Sequence, residues 1–213
     1  MKTVFLKKIA QVLSVLMIVS MLSPVLAFAA FDDMSSHWAK KDVELLVDQK
    51  IVEGVSPTRF EPDRSITRAE FAALVVRTLD LTTVSSSTYY SDVDTSAWYA
   101  DPIYTATAAG LLNGYEDNTF HPAASITREE MAAIVLRALT YADIAFQVSE
   151  SKQEQLLSPF KDADQIVWGH KEIAAALNGK LMTGMTEDTL SPASSATRAQ
   201  AATVLKRLLS YTK

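Results

Sequence analysis

The chain has 213 residues, with 20 Lys and Arg against 25 Asp and Glu, a formal net charge of −5, and no cysteine. Without cysteine there are no disulfides, no thiolate metal site and no cysteine nucleophile, so stability has to come from packing. An acidic balance without any basic run argues against nucleic-acid binding, which needs cations to neutralise phosphates, and any anionic ligand must be gripped locally against a weakly unfavourable field.

Residues 1–29 read as a secretory signal peptide: Lys2, Lys7 and Lys8, an apolar run over residues 9–22, Pro24, and the small-residue sequence Ala27-Phe28-Ala29 that favours cleavage after Ala29. The apolar run is short of the roughly 20 residues a membrane span needs, so the expectation is an exported chain with no membrane attachment after cleavage. Removing the segment takes away three lysines and no acid, which moves the formal charge from −5 to about −8.

After it, one unit is written three times. Trp38, Gly54, Pro62, Thr67, Arg68 and Arg77 recur as Trp98, Gly114, Pro122, Thr127, Arg128 and Arg137, then as Trp168, Gly184, Pro192, Thr197, Arg198 and Arg207. An aromatic and an acid open every copy: Phe31 and Asp33, Tyr90 and Asp92, Phe160 and Asp162. The repeats are assigned to residues 30–81, 89–140 and 159–213, with linkers at 82–88 and 140–158. The extra length before the third copy falls between Leu139 and Phe160. A unit of about 60 residues buries too little surface to be stable alone, so the three are expected to share one core.

Each repeat predicts two helices joined by a turn-rich loop. In the first, Ala39, Val43, Leu46 and Val47 mark one face of a helix over about residues 36–50, and Phe71, Leu74, Val75 and Leu79 mark a second. Ile103, Ala106 and Ala109, then Met131, Ile134, Val135 and Leu139, do the same in the second copy. Ile173, Ala174 and Leu177, then Val204, Leu205 and Leu208, do so in the third. The loop runs from a glycine to a proline, as in Gly114-Tyr115-Glu116-Asp117-Asn118-Thr119-Phe120-His121-Pro122, where Asp117-Asn118 tolerates left-handed backbone. Phe60, Phe120 and Leu190 are expected to tuck beneath it, with looser packing under the smaller Leu190.

The second helix has a strong start signal. Thr67 and Glu70 form a capping box, and Ile66 with Phe71 a hydrophobic staple; Thr127, Glu130, Ile126 and Met131 repeat all four parts. Thr197 and Gln200 keep the box, but Ala196 and Ala201 are small, so that helix is expected to be less firmly seated or more closely approached by a neighbour.

Capping does not explain the arginine that follows. Arg68, Arg128 and Arg198 occupy the first helical turn, where the macrodipole disfavours a cation by roughly 0.3–1 kcal/mol. Two readings are open: a salt bridge to an acid such as Asp33 or Asp92, or an anion site combining unpaired backbone N–H groups with a guanidinium fork. The tryptophans read either as core residues or as platforms for a sugar ring. The aspartates read as helix caps or as acceptors for sugar hydroxyls. The glycines allow either a turn with positive φ or close approach of a ligand.

The opening Phe31-Asp32-Asp33, Trp38, the Gly54 loop, Phe60-Glu61-Pro62 and Ile66-Thr67-Arg68-Ala69-Glu70, with their two further copies, resemble the S-layer homology motif. The resemblance covers essentially all of the chain after the signal peptide. It implies an all-α, pseudo-threefold bundle of helix-loop-helix repeats with grooves between neighbours. It also implies non-covalent anchoring, in a Gram-positive cell wall or S-layer, to secondary cell wall polysaccharide that often carries a pyruvate ketal on N-acetylmannosamine. By resemblance Arg68, Arg128 and Arg198 pair with that carboxylate, while Asp33, Asp92, Asp162, Gly54, Gly114 and Gly184 line the groove with Trp38, Trp98 and Trp168 nearby. Gln200, Ala196 and Leu190 depart from the pattern and put the groove of the third copy in question. Such triplets commonly anchor a larger S-layer or enzyme domain, whereas an anchor without cargo is expected here.

The alternative is an exported adaptor or competitor that binds another cell-surface protein, such as an S-layer protein, through the linkers. An enzyme is not expected. Glycoside hydrolysis needs a unique carboxylate pair, and the repeated acids are threefold equivalents. No cofactor and no metal are expected: His37, His121 and His170 lack ligand spacing, and Asp92-Val93-Asp94 and Asp162-Ala163-Asp164 lack the rest of a calcium loop.

Overall fold

The computed structural model describes residues 31–82 and 89–212. The predicted signal peptide and most of the 82–88 linker lie outside the described residues. The described chain is all-α, with seven helices: α1 (Lys40–Asp48), α2 (Arg68–Thr78), α3 (Ala100–Ala108), α4 (Arg128–Tyr141), α5 (Glu150–Leu157), α6 (His170–Asn178) and α7 (Arg198–Thr212). Among the described residues there is no strand, only isolated bridges.

The first helix of the first repeat is shorter than its periodicity suggests. α1 begins at Lys40, because His37, Trp38 and Ala39 form the turn leading into it. The 140–158 linker contains a helix that its polar sequence hid: α5 is capped by Ser149, whose hydroxyl accepts the Lys152 N–H. α5 packs on α6, and Phe146 beside it covers Gly179 so closely that a Cβ there would meet the ring at 2.5 Å.

The capping boxes form as predicted. Thr67 and Thr127 accept the N–H of Glu70 and Glu130, whose carboxylates accept back from the threonine N–H at 2.9 and 2.8 Å. In the third copy Gln200 completes the same pair at 3.2 Å in both directions. Ile66, Phe71, Ile126 and Met131 are fully buried, and so are Ala196 and Ala201. Of the two expectations for α7, closer approach is the one realised: α7 packs against α1, α2 and α4.

The repeats are joined by a ring of equivalent bonds. Ile66 N–H donates to the Ala196 carbonyl at 3.0 Å, Ala196 N–H to Ile126 at 2.9 Å, and Ile126 N–H to Ile66 at 3.1 Å. Around it the second helix of each repeat packs on the first helix of the next: α2 on α3, α4 on α6, and α7 on α1. One continuous core results, drawn from all three repeats and including Leu46, Phe71, Ile103, Met131, Ile173 and Leu205. Fully burying such a side chain contributes about 1.5–3 kcal/mol.

Candidate functional site: grooves between the repeats

The loops are built first, and the repeated aspartates build them. Asp33 accepts the N–H groups of Phe60 at 3.0 Å and Glu61 at 2.8 Å; Asp92 takes those of Phe120 and His121, and Asp162 those of Leu190 and Ser191, all between 2.7 and 2.8 Å. The second donor residue of each pair, Glu61, His121 or Ser191, has φ between 51° and 58°, a strained region for a residue with a Cβ. The carboxylate therefore holds a turn that would otherwise relax. Burial alone would raise the pKa of Asp33 and Asp162, but these N–H bonds outweigh it and hold both below the ordinary carboxylate value.

The repeated glycines answer to the opening aromatic, not to positive φ. A Cβ on Gly54, Gly114 or Gly184 would overlap the ring of Phe31, Tyr90 or Phe160, and would also meet the carbonyls of the loop itself. Left-handed backbone in the loop of the second repeat falls on Asn118, as its residue type suggested, with φ 61°, and on His121. Leu190 is buried like the phenylalanines it replaces, at 2 % exposure.

The arginines are buried, at 5, 5 and 8 % exposure, and each reaches into the following repeat. Arg68 Nε donates to the Phe120 carbonyl at 2.9 Å and an Nη to Asn113 at 3.1 Å. Arg128 spans Leu190 and Thr183, both at 2.8 Å, and Arg198 spans Phe60 at 2.8 Å and Glu53 at 2.9 Å. Their acidic partners are the capping-box glutamates and not Asp33 or Asp92: Arg68 meets Glu130 at 2.8 Å, and Arg198 approaches Glu70 at 3.9 Å. At the position equivalent to these glutamates the third repeat has Gln200, whose amide oxygen accepts from Thr197 and whose amide nitrogen donates to the Met185 sulfur. Arg128 also lacks the aromatic ring that Phe120 and Phe60 lay under the other two guanidiniums at 4.8 and 4.5 Å. Burial lowers the pKa of Arg128, with partial relief from the charge of Asp162.

The backbone at this helix start is not vacant. The first two N–H groups of α2 donate to Ala124 and Pro122, those of α4 to Ser194 and Pro192, and those of α7 to Arg64 and Pro62. An anion site built on unpaired N–H groups there is not what the chain folds into. Sequence reasoning had no means of seeing that the next repeat supplies these acceptors.

The tryptophans are at the surface, with exposures of 63, 62 and 51 % for Trp38, Trp98 and Trp168. They are not core residues. Predicted site residues come together across repeats: a pocket of about 190 Å3 is lined by Arg68 from the first repeat, Gly114, Tyr115 and Glu130 from the second, and Trp168 from the third. Tyr115, which sequence reading missed as a site residue, lies over Arg68 at 4.9 Å and donates to Glu130 at 3.4 Å. A second cleft of about 520 Å3 has Ala69, Glu70, Asp92, Trp98, Tyr99 and His121 on its walls. No cluster of metal-ligating side chains occurs among the described residues.

The S-layer homology domain model matches residues 30–72, 89–132 and 159–202. The chain belongs to this family. It is 36% identical over 181 residues to an amylopullulanase of Thermoanaerobacterium thermosulfurigenes, covering 84% of this chain and 9% of that protein. A cellulosome-anchoring protein of Acetivibrio thermocellus is 34% identical over 152 residues, 68% of this chain and 31% of the relative. An S-layer protein of Bacillus thuringiensis is 28% identical over 199 residues, 92% and 23% respectively. The S-layer homology chain thus spans less than a third of each of these relatives, so likeness to a named enzyme reaches only a small part of that enzyme.

Proposed function

We propose that the chain anchors non-covalently to the bacterial cell surface by binding secondary cell wall polysaccharide in the grooves between repeats. The observation that carries this reading is the exposed Trp168 sharing the lining of a pocket with Arg68, Gly114 and Glu130 from two other repeats. An exposed indole that the core does not use is a platform for the apolar face of a sugar. Polar groups fixed by buried bonds beside it give orientation at little ordering cost. The relatives named as cellulosome-anchoring and S-layer proteins support the same direction.

The polymer is proposed to be acidic, with pyruvate ketals as its carboxylates. Of the three arginines, Arg128 is the one assigned to such a group, because the fold gives it two carbonyls and no carboxylate. In Arg68 and Arg198 the glutamates already fill that role. Asp33, Asp92, Asp162 and the three glycines serve the groove by shaping its loops. Several weak grooves engaging one polymer gain avidity without new contacts. Residues 30–213 should co-sediment with cell walls that carry pyruvate ketals. Binding should fall at least tenfold when Trp38, Trp98 and Trp168 are replaced together by alanine, with the circular dichroism spectrum unchanged. Undiminished binding by the folded triple variant would exclude the grooves as the site.

A further inference from the structure

Two neighbours at the start of α4 hold two members of one pocket's lining. Glu130 pairs with the Arg68 guanidinium at 2.8 Å. Glu129 accepts the amides of Trp168 and Gly169 at 2.8 and 2.6 Å, and the Val167 amide approaches it at 3.4 Å. Arg68, Glu130 and Trp168 all line the 190 Å3 pocket. Glu129 is 4 % exposed, and a carboxylate so deeply buried is tolerated only when donors take up its oxygens. Those donors are the backbone of the Trp168 turn, so the carboxylate fixes the peptide from which the exposed indole projects.

The other two junctions cannot make this bond. The residues that correspond to Glu129 are Ala69 and Ala199, and those that correspond to Gly169 are Tyr99 and Ala39. The two departures match each other. A Cβ on Gly169 would meet Glu129 Cγ at 2.8 Å and Oε1 at 3.1 Å, so the glycine is what admits the carboxylate. Trp38 and Trp98 instead have an aromatic neighbour in sequence, His37 and Tyr99, with ring centroids 5.2 and 5.5 Å away. Trp168 stands between Val167 and Gly169 and has no such ring beside it in sequence. Its bracing is at the backbone, and its indole stays half exposed.

We infer that Glu129 is a positioning residue for the groove at Trp168: from the second repeat it presets the third repeat's tryptophan as a stacking surface for a sugar ring, and makes this the best ordered of the three grooves. A surface set before binding loses less freedom when a saccharide arrives. Glu129 itself is buried and acts through Trp168, not on the saccharide. This rests on the wall-anchoring reading and gives unequal weight to grooves that the repetition makes look alike.

The test is a double-mutant cycle read by co-sedimentation of residues 30–213 with cell walls. Glu129→Ala should weaken binding about fivefold, the size of one substantial interface contact, and should have no effect in a chain already carrying Trp168→Ala. Glu129→Gln keeps the oxygen that takes both short bonds and should restore binding. Gly169→Ala, which pushes a methyl into the Glu129 side chain, should repeat the loss. A Glu129→Ala effect that persists without Trp168, or full binding by the folded Glu129→Ala chain, would overturn the inference. With Trp38→Phe and Trp98→Phe in place, fluorescence anisotropy reads Trp168 alone and needs no wall: Glu129→Ala should speed its local motion, and unchanged motion would also overturn the inference. Failure of the unaltered chain to sediment would instead sink the anchoring reading, so the two ideas fail by different results.

Discussion

The junction of the first and second repeats and that of the second and third use one arginine in the same way, yet only one of them has an acid. Arg68 bonds two carbonyls and Glu130; Arg128 bonds the two equivalent carbonyls, and Gln200 stands where the equivalent glutamate would be. The carbonyl clamp is thus the common element, and the carboxylate is an addition that one junction does without. It follows that a buried guanidinium can be held by backbone dipoles when its geometry is fixed, in agreement with the strength of charged hydrogen bonds, about 1.5–3 kcal/mol each.

The largest effect that separates the two junctions should come from Arg68→Ala. It leaves the Glu130 carboxylate and two carbonyls without their donor, and about 3–5 kcal/mol of stability should be lost in urea unfolding. Arg128→Ala should cost less, by about 1–2 kcal/mol, since no carboxylate is stranded; equal losses would mean the acid contributes nothing. Gly114→Ala drives a methyl into the Tyr90 ring and the Thr119 carbonyl, with an expected loss of about 1–3 kcal/mol.

Acid should reveal the glutamate at the remaining junction. Burial pushes the Glu70 pKa up, but the Arg64 hydrogen bond, the Thr67 amide and the charges of Arg64 and Arg198 outweigh it, and the net shift is downward. A depressed folded pKa means its stabilisation is present above the ordinary carboxylate range and is lost as pH falls through the lower, folded value. Melting temperature should therefore hold near neutrality and drop below about pH 4. Glu70→Gln should flatten part of that drop. The smallest change is Gln200→Glu, which gives Arg128 the missing acid and should add about 0.5–1 kcal/mol.

Much of the fold was legible because it is local. Thr67 with Glu70, and Ile66 with Phe71, announce a helix start from six consecutive residues. Repetition then implied a shared core. What could not be read was which repeat each polar group serves. Arg68 looked like a residue of its own helix but acts on Phe120, fifty-two positions away. Trp38, Trp98 and Trp168 carried an aromatic signature compatible with core or surface, and only packing decided it. Glu129 was unremarked because a glutamate beside a capping box looks like a solvated charge. Its meaning appears only when the third repeat lays Trp168 and Gly169 across it.

The ring of bonds through Ile66, Ile126 and Ala196 has a consequence for how the molecule comes apart. A linear stack of repeats has end units that can fray while the rest stays folded. A closed ring has none, so removing any single repeat breaks two junctions and exposes one face on each of its neighbours. Joining the chain at its two ends and reopening it within 140–158 should accordingly leave the ring's contacts intact, because the order of the repeats around it has no beginning.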